Sequence, residues 1–134
     1  MGDIQLVDAH CHLDELERRG MPAAEAISAA AAAGVVQMVT SGDAPAENQR
    51  ARQLAETYPG VYFTPGWHPS NSRAPSRAER RELRDLLDHP RAVALGEVGL
   101  DYHRRDGGTV WDPRAQRGLL RDMLELAAEA GKPV

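Results

Sequence analysis

The stretch Ile4-Gln5-Leu6-Val7-Asp8-Ala9-His10-Cys11-His12 is a short apolar run that ends in two histidines with one residue between them. Its length and composition suit a buried strand bounded by a polar end. Side chains two apart on a strand share a face, so His10 and His12 project to the same side of its carboxyl end. Two imidazoles placed this way form half of a metal site, because imidazole suits zinc and other transition metals. Farther along, Gly96-Glu97-Val98-Gly99-Leu100-Asp101 puts a carboxylate at the end of another apolar run. A carboxylate can complete or bridge such a site.

Outward from these two stretches, short apolar runs alternate with helical ones. The first strand runs from Ile4 to Ala9, and a helix follows from about Pro22 to Ala33, with Gly34 as its stop. Val35 to Thr40 reads as a second strand. Asp43 is placed to cap a helix running to about Thr57, and Val61 to Thr64 is a third strand leading to Gly66-Trp67-His68-Pro69. A charged helix over Arg77 to Leu87 has Ser76 as its cap, and Ala92 to Gly96 is a fourth strand. Asp112-Pro113 then opens a last helix to about Ala130, stopped by Gly131, and Lys132-Pro133-Val134 starts a fifth strand. The expectation is an α/β fold of four β-α units and the start of a fifth strand, with a parallel sheet and helices packed outside it. No internal linker divides the chain, so residues 1–134 are expected to form one domain.

His10, His12, His68 and Glu97 all lie at or just past the carboxyl end of a predicted strand. In α/β folds that edge carries ligands and catalysis.

The 134 residues are 42% apolar and 27% charged, a balance for a globular chain, with only 4% aromatics, so Ala, Val and Leu must supply most of the core. A formal net charge of -4 gives no overall attraction to polyanions. The single cysteine excludes an internal disulfide and fits a reducing compartment. Neither a leader sequence nor a membrane span is read from the chain, and a cytoplasmic, membrane-free location is expected.

Asp8-Ala9-His10-Cys11-His12-Leu13-Asp14, Gly66-Trp67-His68-Pro69 and Gly96-Glu97-Val98-Gly99-Leu100-Asp101-Tyr102, in this order and spacing, resemble the TatD-like metal-dependent hydrolases. Ala130-Gly131-Lys132-Pro133-Val134 resembles the family's approach to its fifth strand. The resemblance implies the N-terminal half of a metal-dependent-hydrolase TIM barrel carrying one or two divalent ions (zinc, magnesium or manganese) and hydrolysing phosphodiesters, often in DNA. It assigns His10 and His12 to one metal and Glu97 to bridging or binding the pair. His68 falls near the substrate phosphate, which makes Glu97 and His68 the candidate catalytic residues. Family members add two histidines and an aspartate after later strands, and the sequence ends before the first of them. The expectation is therefore a partial barrel with the front half of a metal site, weak metal binding and little turnover by the isolated chain. A chain cut short, a partner that supplies the rest, or an abandoned chemistry each fits.

His103, beside Arg104 and Arg105, is a candidate phosphate contact, or a solvated loop tip. Asp101 is expected to order its loop through turn hydrogen bonds. Asp8 shares the His10 face and can orient a ligand or cap the strand end. Asp14 is a weaker candidate. Cys11 faces away from its neighbours, toward a helix, and His89 suits a helix end. The arginines at 73, 77, 80, 81 and 84 interleave with Glu79, Glu82, Asp85 and Asp88, which reads as a solvated helix face rather than a nucleic-acid patch. Two other functions share these features: an amidohydrolase acting on a small amide, ester or lactone, and a non-catalytic subunit retained for association. Half of a closed barrel has open edges, so pairing with a second copy or a complementing chain is expected.

Overall fold

β-branched and apolar residues form the strands, and the computed structural model describes residues 4–103 and 110–134. β1 (Leu6–Cys11), β2 (Val35–Ser41) and β3 (Val61–Thr64) make a parallel sheet in that order. The helices are α1 (Leu13–Arg18), α2 (Ala23–Ala32), α3 (Pro45–Thr57), α4 (Arg77–Leu87) and α5 (Pro113–Ala130). A 3-10 turn, Pro69–Asn71, follows β3.

The fourth expected strand, Ala92 to Gly96, is reduced to one bridge between Phe63 and Ala92. The segment still runs beside β3: Phe63 donates to Arg91, Val93 to Phe63, and Gly96 to Pro65. Its outer side receives Pro133, whose carbonyl accepts from Leu95 at 2.9 Å. Pro65 and Pro133 accept but have no N–H to donate back, so a continuous ladder cannot form on either side. The half-barrel layout stands, with its last strand and the start of a fifth in sketch form.

α1 was not expected from the sequence. It has no side-chain cap, and tertiary contacts hold it: Leu13 is buried, Arg18 pairs with Glu47 at 3.0 Å, and Arg50 pairs with Glu17 at 2.6 Å. Asp43 does not cap α3. Ala44 takes the N-cap position without a side-chain bond, and the Asp43 carbonyl accepts from the backbone of His68 instead. α4 begins where Ser76 predicts, in a full capping box with Glu79. The arginines read as a solvated face are paired with acids where the structure shows them bonded: Arg73 with Glu79, Arg80 with Glu129, Arg84 with Asp88.

The core lies between the sheet and the helices. One cluster gathers Leu13, Met38, Leu54, Val61, Phe63 and Leu86; a second gathers Trp67, Leu83, Leu87, Leu119, Met123 and Leu126. β1 is left poorly covered, with Leu6 49% and Val7 58% exposed. Among the described residues, no helix is long and apolar enough to cross a membrane.

Glu79 accepts from Arg73 and from the Ser76 backbone, and these bonds hold its carboxyl down at about 2. A lowered acid stabilises the fold above its ordinary range and loses that contribution as pH falls through the range toward 2. Ser76→Ala should destabilise the chain by about 1 kcal/mol in urea titration. Glu79→Gln should flatten the decline in stability between pH 4.5 and 2 relative to the parent.

Candidate metal centre

Three strand ends meet at the carboxyl edge of the sheet. β1 brings His10 and, one residue past its end, His12. The Asp8 side chain accepts the backbone N–H of His10 at 3.1 Å, so Asp8 fixes the strand end and not the imidazole. Glu97 arrives from the segment after the Phe63–Ala92 bridge. Its backbone N–H donates to Gly42 at the end of β2 at 2.8 Å, and the preceding Gly96 N–H donates to Pro65 after β3 at 2.9 Å. Glu97 is thereby stitched between the ends of β2 and β3.

Gly66 makes this approach possible. A Cβ there would overlap Glu97 N and Gly96 C, backbone atoms that have no flexible end to move aside. Gly66 is itself held on both polar groups by one buried side chain of α3: Asn48 donates to its carbonyl at 2.8 Å and accepts its N–H at 2.9 Å. The next residue, Trp67, is buried and donates its indole N–H to Arg73 at 2.8 Å, while the Arg73 guanidinium covers its ring. These anchors place His68.

The geometry gathers most of the residues singled out in the sequence. His10 Nε2 and His12 Nε2 are 3.2 Å apart, and Glu97 Oε2 lies 3.3 Å from the second and 3.8 Å from the first. His10, His12 and Glu97 can offer one ligand atom each with all three atoms within 4.8 Å of one another. With metal–nitrogen distances of about 2.0–2.1 Å, tetrahedral angles set two ligand nitrogens about 3.3–3.4 Å apart, so the spacing fits a transition-metal ion. Behind His10, its Nδ1 lies 3.4 Å from Ser41 Oγ, which accepts from Thr64 at 3.0 Å.

His68 joins the edge of the cluster, with Nε2 4.0 Å from Glu97 Oε1 and 3.9 Å from Asp101 Oδ2. Its Nδ1 accepts the Ser70 N–H at 3.0 Å. An accepting Nδ1 puts the proton of a neutral ring on Nε2, so His68 presents a donor to the site. His103 is not brought to the cluster. It is exposed, its N–H donates to Asp101 Oδ1 at 2.9 Å, and it borders a separate cavity of about 150 Å³ with Pro69, Trp111 and Val110. Its neighbours Arg104 and Arg105 lie outside the described residues. Asp101 orders its loop, as expected, by accepting that bond.

Cys11 faces the helix layer and donates to Val39 at 3.4 Å; burial first, then the nearby Asp8 and Asp14 carboxylates, push its thiol up to about 12. His89 sits far from the cluster, against Glu56 at 3.3 Å. A cavity of about 170 Å³ beside the His10, His12 and Glu97 group is walled by Asp14, Glu15, Asp43 and Glu97 with His12, His68 and Arg18. Burial and the adjacent Glu47 raise the Asp43 carboxyl above its usual range. Two contributors escaped the sequence reading: the amides of Asn48 and Gln116, each buried on the inward side of a helix.

The TatD-related DNase family profile matches residues 7–134. A Mycobacterium tuberculosis protein named as an uncharacterised metal-dependent hydrolase TatD is 37% identical over 133 residues, covering 96% of this chain and 50% of its own length. An Enterobacter lignolyticus protein named as a 3'-5' ssDNA/RNA exonuclease TatD is 35% identical over 108 residues, 81% of this chain and 40% of its own. The crystal structure of YjjV, a TatD homologue from Escherichia coli, superposes with a TM-score of 0.75 at 29% identity, covering 96% of this chain and 49% of that one. The chain belongs to the TatD-related DNase family. The chain spans about half the length, or less, of these relatives.

Gly66→Ala should cost about 2–3 kcal/mol of stability, as overpacking against fixed backbone does. Chemical denaturation measures the loss, and any metal binding should fall with it, because Glu97 must be displaced.

Proposed function

We propose that this chain supplies the front half of a divalent-metal-dependent phosphodiesterase site, acting on DNA or RNA strands. The convergence of His10, His12 and Glu97 from distant stretches of the sequence carries the reading. His10 and His12 would hold one ion through Nε2, and Glu97 would hold or bridge it through a carboxylate oxygen. Zinc, manganese and magnesium are the candidate ions, one or two per site. When bound, such a cation neutralises charge on phosphoryl oxygens and makes hydroxide available near neutral pH.

The protein's own groups do the rest. A proton on His10 Nδ1 donated toward Ser41 leaves the Nε2 lone pair facing the cluster. His68, with Nε2–H outward, donates a hydrogen bond to a phosphoryl oxygen. The acid-walled cavity attracts a cation before any polyanion, so ion binding precedes strand binding. The relatives' names support single-stranded nucleic acid as substrate. The uncovered β1, with its exposed Leu6 and Val7, supports assembly with a second copy or with a chain carrying the other half of a barrel.

Zinc or manganese should titrate calorimetrically into the parent chain. His10→Ala, His12→Ala and Glu97→Gln should each weaken that binding at least about tenfold, since even residues behind the ligands are worth that much. His68→Ala should leave metal affinity in place and reduce release of nucleotides from a single-stranded oligonucleotide. Metal binding that ignores all three ligand substitutions would sink the reading. Gel filtration with light scattering should show a dimer or higher species; a compact, stable monomer would remove the assembly part alone.

A further inference from the structure

We propose that a single strand of nucleic acid leaves the site over Tyr102 and along the outer face of α5, with bases stacking on Tyr102 and phosphates facing Arg114, Arg117 and Arg121; the proposal rests on the reading above and says where the rest of the substrate lies. From Pro113 to Arg121, α5 carries three arginines and no acid. Spacings of three and four residues put Arg114, Arg117 and Arg121 on one helix face, and all three are exposed. Among the described residues none of them is ion-paired, whereas Arg73, Arg80 and Arg84 are. The stripe runs for about 10 Å of helix axis. Phosphates of one stacked DNA strand recur about every 3.4 Å, so the stripe faces several in succession. The acids of α5 and its cap lie beyond the two ends of the stripe. Asp112 is engaged at the cap, where it accepts the Arg114 N–H at 3.0 Å, and Asp122 and Glu125 follow Arg121.

Tyr102 joins this stripe to the site. Arg117 donates to its hydroxyl at 3.4 Å, and the residue is 48% exposed. The residue before it, Asp101, reaches within 3.9 Å of His68. An exposed ring beside a guanidinium is how proteins hold single strands without reading their sequence: bases stack on the ring and the cation meets the backbone. The α1 side of the site offers a strand nothing comparable, because Asp14, Glu15 and Asp43 wall the cavity there and repel a polyanion. Arg77 and Arg81 on α4 are exposed too, but Glu79, Glu82, Asp85 and Asp88 interleave with them. With a net charge of -4 on the whole chain, attraction to a polyanion must come from a local stripe of this kind. Exposed Leu124 follows Arg121 by three residues, which makes a protein partner the rival occupant. Charged residues are depleted from the centres of protein interfaces, so three unpaired arginines favour nucleic acid.

The test is fluorescence anisotropy of a short labelled single-stranded oligonucleotide, titrated with the chain over a range of salt concentrations, with and without zinc. The combined variant Arg114→Gln, Arg117→Gln, Arg121→Gln should bind more weakly and flatten the logarithmic salt dependence by about 0.7 for each arginine. Tyr102→Leu should weaken binding about fivefold or more and leave the salt slope unchanged. The α4 control Arg77→Gln, Arg81→Gln removes exposed charges off the path and should keep the parent slope. Calorimetric zinc affinity should stay within about twofold in every variant, as for an independent site. A combined α5 variant with the parent slope overturns the proposal. So does Tyr102→Leu at parent affinity, or an α4 control that flattens the slope as much as the α5 variant does. Light scattering that shows the α5 variant losing an oligomer of the parent also overturns it, and makes the face a protein interface. A parent chain that binds the oligonucleotide but not zinc defeats the metal-centre reading and leaves the stripe standing. One that binds zinc but not the oligonucleotide defeats the stripe alone.

Discussion

The close approach of the Gly66 backbone to the Gly96–Glu97 peptide is the constraint on which the rest of the site depends. It lets the Glu97 N–H reach Gly42, which joins the chain after β3 to the end of β2. A side chain at Gly66 would hold the strands apart at their carboxyl edge. The carboxylate of Glu97 would then miss the two imidazoles of β1. The meeting of His10, His12 and Glu97 is thus a product of backbone packing first and of side-chain chemistry second.

Side chains of the outer helices complete what the sheet begins. Asn48 on α3 grips Gly66, and Gln116 on α5 grips Asp101, each by both polar groups of one backbone residue. Both amides are almost wholly buried, where an unpaired polar group costs about 1–3 kcal/mol, so each resists letting go of its loop. Trp67 adds an apolar anchor beside His68. The carboxyl edge of the sheet is built on three loops, yet each loop is fixed by a residue whose own place is set by the core.

Much of this was legible in the sequence because the signals are local. Val61–Thr64 and Arg77–Leu87 fall where apolar runs and the Ser76 cap place them. The strand-end spacing of His10 and His12, and the Gly96-Glu97 run, named the cluster in advance. Local signals fail where the cause is tertiary. α1 has no cap and is held by Arg18 and Glu17 pairing with residues of α3. Asp43 has the chemistry of a cap, but its backbone is engaged by His68 and α3 starts one residue later. The stretch Ala92 to Gly96 has a strand's composition, and Pro65 and Pro133, distant in sequence, deny it a ladder. Nothing in a pattern of residues separates a buried Asn48 or Gln116 from the polar face of a surface helix.

The electrostatics give the site an order of events. Asp14, Glu15, Asp43 and Glu97 surround the cavity beside His12, and Arg18 is already paired with Asp14 and Glu47. A phosphodiester approaching these groups alone meets repulsion from several carboxylates. A divalent cation among His10, His12 and Glu97 would be the largest charge in the neighbourhood and would reverse the local field. The same acids would then act as the well that retains the ion. His12 and Glu97 belong both to the cluster and to the wall of this cavity, so a cation held there would face the space that His68 also lines.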